Sequence, residues 1–246
     1  MSASTLRIGV LMPEVLGTYG DTGNALILAE RARRRGIEAE VVHVGLTEDI
    51  PDSLDIYTLG GGEDTAQALA ADKFRGTSGL SRALDAGRPL LAICASLQVL
   101  GHWYEDARGL RVPGMGVLDI TTRPQGHRAI GELVCEPVLE GLTQTLTGFE
   151  NHGGGTVLGP DASPLGRVIS GVGNGTPQGE EAPEVRYDGA VQGSVIATYM
   201  HGPALARNPE LADLLLERAT GATLEPLDVP GVAELREERL SGVSLS

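Results

Sequence analysis

The chain has 246 residues, 41% of them hydrophobic and only 3% aromatic, enough for one sizeable core built on Leu, Val, Ile and Ala. Its 33 acidic against 19 basic residues give a formal charge of -14, which argues against nucleic acid or an anionic membrane as partner, because both demand a basic face. The opening MSASTLRIGVL has neither the basic start nor the long apolar run of a signal peptide, no stretch approaches the ~20 apolar residues of a membrane helix, and the two cysteines form no CxxC pair, so the expectation is a cytoplasmic protein with free thiols and no metal.

Leu6 to Leu11 is a short apolar run ahead of a Pro- and Gly-bearing turn, the pattern of a buried strand. Thr22 to Arg35 carries Ala25, Leu26, Leu28, Ala29 and Ala32 at helical spacing and stops at Gly36. Ile37 to Val44 alternates as a second strand, and Ile56 to Leu59 is a third, ending in Gly60-Gly61-Gly62. Leu80 to Asp85 reads as a helix, Pro89 to Ile93 as the most apolar strand, and Ala95 to Leu100 restarts a helical pattern. Alternating strand and helix predict a parallel sheet covered on both faces. After residue 117 the texture changes. Val117 to Thr121, Ala129 to Glu136, Leu146 to Glu150 and Ser194 to Tyr199 read as strands, Asn174 to Pro183 as an exposed loop, and Pro209 to Ala219 as a helix. The pattern is one mixed, mostly parallel α/β domain over residues 1–221, more antiparallel in its second half. Residues 222–246 form a charged tail, a docking helix or disordered.

Chemistry concentrates first on Cys94. It lies where an apolar strand meets a helix, with the small Ala92 two residues before and the small Ser96 two after. A sharp strand-to-helix elbow demands that spacing and holds its central side chain out over the sheet edge, beside a helix N-terminus that favours a thiolate. An inert core cysteine is the competing reading, and Cys135, in ELVCEPV, is read that way. The glycine run ends a strand on the side where open parallel sheets bind ligands. Its free N–H groups, with that of Ala95, could hold an oxyanion; Gly61 is the donor singled out. No GxxxxGK[ST] phosphate loop occurs. A thiol nucleophile needs a base, and the histidines are His43, His102, His127, His152 and His201. His201 follows an apolar strand directly and His152 rivals it; residue chemistry alone does not separate them. Asp21 reads as an N-cap for the helix after it.

Six segments in order, TYGDTGN, LGGGEDTAQ, CASLQ, RAIGE, GFENHGGGT and YMHGPALARNP, resemble the class I glutamine amidotransferases. Within these, the chain is similar to the branch shared with cobyric acid synthases, most narrowly to the GatD-type glutaminase subunits of lipid II isoglutaminyl synthase. The resemblance implies Cys94 as nucleophile, His201 as general base, and Gln98 and Arg128 beside substrate L-glutamine. It departs from the family at Ser96, where many relatives have Gly, and at Pro203, where many class I enzymes have an acid, so a Cys–His dyad is expected. It also implies a MurT-like Mur ligase subunit as heterodimeric partner, carrying ATP and Mg, acting on lipid II, with no cofactor in this chain. Rival readings are a glutaminase serving another acceptor such as a corrinoid carboxylate, a thiol hydrolase or peptidase, and a non-catalytic binding subunit.

Overall fold

Each apolar run predicted as a buried strand is too short for a stable helix, and in the computed structural model these runs form the middle of one sheet. The structure describes residues 5–106 and 108–241. In chain order the first half contains β1 (Leu6–Leu11), α1 (Gly23–Arg33), β2 (Ala39–Val44), β3 (Ile56–Leu59), α2 (Asp64–Arg75), α3 (Gly79–Asp85), β4 (Leu90–Ile93) and α4 (Ala95–Leu100). Next come β5 (Trp103–Glu105), β6 (Arg111–Pro113), β7 (Ile120–Pro137), β8 (Leu146–Leu158), β9 (Gly166–Ser170), β10 (Tyr187–Asp188), β11 (Ala190–Gln192) and β12 (Val195–Thr198). The helices α5 (Ala204–Arg207), α6 (Pro209–Thr220) and α7 (Val232–Ser241) follow.

The first sheet runs β11-β12-β4-β3-β1-β2, parallel throughout except at the β11–β12 edge. Every residue of β3, β4 and β12 is buried, as expected of parallel strands covered on both faces. Ala25, Leu28, Ala29 and Ala32 of α1 turn inward, whereas Leu26, expected in the same stripe, is exposed on the outer side, and burial of a leucine such as Leu28 stabilises by about 1.5–3 kcal/mol. The same helix sends Arg31 to Asp213 of α6 in a two-pronged ion pair, 2.7 Å from Nε and 2.6 Å from the second guanidinium nitrogen, so the two covering helices are locked to each other.

The antiparallel texture of the second half is a separate sheet, β10-β9-β7-β5-β6, with β8 paired to β7. Of the segment read as Val117 to Thr121 only Ile120 and Thr121 are strand; they and Ala129 to Glu136 belong to the single strand β7, whose ladder with β8 runs from Ile120↔Leu158 to Cys135↔Leu146. The ladder is irregular between Pro124 and Ala129. Pro124 cannot donate to it and Gly126 takes φ +82°, so residues 125–128 leave the pairing. That departure faces the site described below.

Helix α2 escapes the periodicity reading because its buried stripe is thin: Gln67, Ala70, Ala71 and Phe74. In the tail, α7 buries none of its residues, but Arg236 donates to the Thr145 carbonyl at 2.8 Å and to the Arg207 carbonyl. Among the described residues no helix is long and apolar enough to cross a membrane.

Asp188, fully buried, accepts from Thr198 Oγ1 at 2.5 Å and the Tyr199 amide at 3.2 Å, pinning the end of β12. Burial pushes its pKa up to about 7, against those hydrogen bonds. The folded chain therefore keeps a proton that the unfolded chain releases at ordinary carboxylate pH. This group's contribution to stability is complete below the unfolded pKa and is lost as pH rises through about 7. Asp188→Asn, a mimic of the protonated acid, is expected to narrow its Tm deficit, or reverse it, between pH 5 and pH 8 in thermal unfolding. A deficit independent of pH would refute the assignment.

Candidate active site

Strand β4 cannot continue into α4 without a sharp reversal, and Cys94 makes it. Its backbone sits at φ +51°, ψ -105°, a region a residue with a side chain enters at a cost of about 1–3 kcal/mol. Two ties hold it there: the Cys94 amide donates to the Thr198 carbonyl of β12 at 2.9 Å, and Ser96 Oγ donates to the Gly60 carbonyl at 2.6 Å. Ala92 and Ser96 are buried on either side, where larger side chains would crowd the elbow. Ser96 thus adds a strut to the glycine run that a Gly there could not supply.

His201 comes from the loop after β12. Its ring is almost fully buried, and Nδ1 lies 2.8 Å from Asp21 Oδ2. A carboxylate on that nitrogen fixes the Nδ1–H tautomer and leaves Nε2 as the atom able to hold a proton drawn from Cys94. Nε2 is buried without a completed hydrogen bond. Burial pulls the imidazole pKa down, but the Asp21 hydrogen bond and the neighbouring Cys94 thiol outweigh it, and the value is pushed up to about 10. Asp21 corrects the sequence reading. The helix cap position belongs to Thr22, with no side-chain cap bond, and the buried Asp21 carboxylate is turned to His201 instead. With Pro203 two residues after the histidine, the acid arrives from the loop after β1. The signal available in sequence was an acidic residue shortly after the first parallel strand, on the edge where ligands bind.

Gly61 explains the glycine run. A Cβ there would lie 2.6 Å from His201 Cε1, 3.3 Å from Asp21 Oδ2 and 3.4 Å from Cys94 Cβ. All three side chains converge on one residue that must lack its own. The Gly61 N–H, however, donates to Asp21 Oδ2 at 2.8 Å, so it is not free for an oxyanion and that expectation is corrected. The next residue, Gly62, lines the cavity in front of Cys94 together with Ala95. As the first residue of α4, Ala95 has an N–H with no partner inside the helix.

This cavity, of about 350 Å³, is also lined by Gln98, Arg128, Asn151 and His152. Gln98 accepts from Gln67 Nε2 at 2.6 Å and donates to the Tyr199 hydroxyl at 3.0 Å, so its amide is held at the wall. Arg128, exposed where β7 leaves its ladder, donates through Nε to Asn151 Oδ1 at 2.5 Å. The rival base, His152, stacks on Tyr199 at 3.7 Å and its Nδ1 lies 3.0 Å from the Gly154 carbonyl. His127 is exposed on the cavity wall, whereas His102 pairs with Asp119 at 2.9 Å and His43 is exposed on β2. Burial raises the Cys135 thiol well above its ordinary pKa, as fits a packing residue. Among the described residues no three His, Cys, Asp or Glu side chains are grouped to hold a metal.

The CobB/CobQ-like glutamine amidotransferase domain matches residues 7–209. The GatD subunit of lipid II isoglutaminyl synthase (glutamine-hydrolyzing) from Staphylococcus aureus is 36% identical over 240 residues, 96% of this chain and 94% of that protein. Its namesake from Streptococcus pneumoniae is 36% identical over 217 residues, covering 87% of this chain and 80% of that one. A probable cobyric acid synthase from Methanothermobacter thermautotrophicus is 35% identical over 208 residues, 80% of this chain but only 38% of that protein. Among solved structures, a glutamine amidotransferase superposes with a TM-score of 0.55 at 22% identity, over 87% of this chain and 98% of that one, a likeness of fold. The chain belongs to the CobB/CobQ-like glutamine amidotransferase family.

Proposed function

We propose that this chain is the glutaminase subunit of a two-protein, ATP-dependent amidotransferase, hydrolysing L-glutamine to glutamate and ammonia. The observation that carries the reading is the meeting of Cys94, His201 and Asp21 around Gly61. His201 takes the thiol proton, and Cys94 Sγ attacks the side-chain amide carbon of glutamine. The oxyanion that forms takes hydrogen bonds from the Ala95 and Gly62 N–H groups. His201 returns the proton to the departing nitrogen, ammonia leaves, and a thioester remains. A water, deprotonated by His201, then adds to the thioester and releases glutamate. Asp21 stabilises the imidazolium in both halves. Arg128 receives the α-carboxylate, for which a guanidinium fork is suited, and the acids Glu63 and Asp64 on the cavity wall suit the α-ammonium. Gln98, its amide fixed by Gln67 and Tyr199, lines the side-chain end.

The ammonia is consumed by a separate MurT-like Mur ligase subunit that carries ATP and Mg and amidates the D-glutamate α-carboxyl of lipid II to D-isoglutamine. Support comes from the two GatD relatives, which align along most of their own length, and from the absence of a phosphate loop in the 246 residues. The cobyric acid synthases favour a second reading, in which the same glutaminase serves a corrinoid carboxylate. The acceptor decides between them: with its ligase partner, the chain is expected to convert lipid II and leave corrinoid carboxylates untouched.

Cys94→Ala is expected to abolish glutamate release in a coupled glutamate assay; ammonia at the wild-type rate would end the mechanism. Asp21→Asn keeps the shape but removes the charge behind His201. It is expected to lower kcat by roughly 10²–10⁴-fold and to lower the imidazole pKa, moving the alkaline limb of the rate profile down. Arg128→Ala is expected to raise KM for glutamine about tenfold or more, the scale of a lost charged hydrogen bond, with kcat little changed. An unchanged KM would remove that residue from the site.

A further inference from the structure

Tyr19 has no part in the chemistry above, yet its placement is costly. It lies at φ +59°, where a side chain costs about 1–2 kcal/mol, with 43% of its surface exposed. Neighbouring Thr18 donates its amide to the Gly61 carbonyl at 3.3 Å, and the Asp21 amide closes the turn on the Thr18 carbonyl at 3.4 Å. One turn therefore brings two groups to His201: the Asp21 carboxylate at Nδ1, and the Tyr19 ring edge-on at 4.9 Å between centroids and 62° between planes. The Tyr19 hydroxyl accepts from Asn151 Nδ2 at 2.5 Å, and Asn151 Oδ1 accepts from Arg128 Nε at 2.5 Å. An unbroken line of contacts runs from the imidazole to the guanidinium.

We propose that Tyr19 is a positioning residue with two ends: its ring fixes the plane of His201, and its hydroxyl, through Asn151, fixes Arg128 for the carboxylate of glutamine. This rests on the glutaminase reading. A side chain that only stabilised the fold would change Tm without separating binding from reaction. Tyr19 separates them, because hydroxyl and ring face different partners. The amide is suited to the link, since it donates to the phenol oxygen while accepting from the guanidinium. Non-glycine residues persist in the left-handed region where the surroundings over-determine them, and here the surroundings are the Thr18–Gly61 pairing, the imidazole and Asn151.

The test uses 6-diazo-5-oxo-L-norleucine, a glutamine-shaped diazoketone that alkylates a thiol with loss of N₂, followed by intact mass. It yields KI for recognition and kinact for reaction without requiring the partner. Tyr19→Phe is expected to raise KI about fivefold, the scale of one hydrogen bond, with kinact within about twofold. Asn151→Ala should raise KI at least as much, and the double variant no further than Asn151→Ala alone, because both cut one link. Tyr19→Leu is expected to lower kinact about tenfold, with Tyr19→Phe restoring it. With the wild type labelled saturably at Cys94, wild-type KI in Tyr19→Phe or wild-type kinact in Tyr19→Leu overturns the proposal. A wild type that is not labelled at Cys94 overturns the glutaminase reading itself, and this inference with it. Thermal unfolding confirms that each variant is folded; should Tyr19→Leu fail to fold, Tyr19→Phe and Asn151→Ala decide.

Discussion

Four adjacent parallel strands, β12, β4, β3 and β1, end on the same edge of one sheet, and the rest of the site follows from that alignment. In register, Thr198 lies beside Ile93, Ala92 beside Leu59 and Thr58 beside Val10. Each strand therefore releases its chain at nearly the same height, and each connection beyond contributes to the site: Asp21 and Tyr19 after β1, the glycine run after β3, Cys94 after β4 and His201 after β12. Parallel pairing creates the coincidence; antiparallel neighbours would send alternate loops to opposite edges. The second, antiparallel sheet supplies what this edge lacks, a wall. The irregularity between Pro124 and Ala129 puts Arg128 against the mouth of the cavity, while β8 brings Asn151 and His152.

Crowding at Gly61 is the local form of the same constraint. Three functional side chains approach one backbone unit, and its amide is spent on orienting Asp21 rather than on substrate. In the proposed mechanism the oxyanion donor is thereby displaced by one residue, to Gly62. The run needs three glycines for different reasons. Gly60 passes under the Leu16 carbonyl, where a Cβ would come within 2.2 Å; Gly61 admits the triad; Gly62 presents a bare backbone to the cavity. A strained Cys94 and a strained Tyr19 flank this point, each held by hydrogen bonds from a neighbouring strand or loop.

The elements legible in the sequence were those whose local pattern and final environment agree. β1, β3 and β4 are buried on both faces and read as short apolar runs; α1 carries its stripe at helical spacing; the elbow announces itself by Ala92 and Ser96. Helix α2 was hidden because two alanines and a glutamine make much of its buried stripe. β7 read as two fragments because Pro124 and Gly126 interrupt its pattern without ending the strand. Asp21 was hidden for a different reason. Its partner is 180 residues away, and its local surroundings, just ahead of a helix, match those of a capping residue.

What brings Asp21 and His201 together is a clasp between their two loops. Asn24 Oδ1 accepts from the Leu205 amide at 3.0 Å, and Gly23 packs so tightly on Pro203 that a Cβ there would come within 2.5 Å of the ring. Pro203 stands where many class I relatives keep their acid, so the residue that cannot orient the histidine helps to seat the loop that does. This makes the acid a property of the β1–α1 connection rather than of the histidine's own loop. Since that connection also carries Tyr19, one turn supplies the groups on two sides of the imidazole. A shift of that turn would loosen the Nδ1 hydrogen bond, the edge-on ring and, through Asn151, Arg128 at once. In the proposed reading, orientation of the base and recognition of glutamine are therefore mechanically joined.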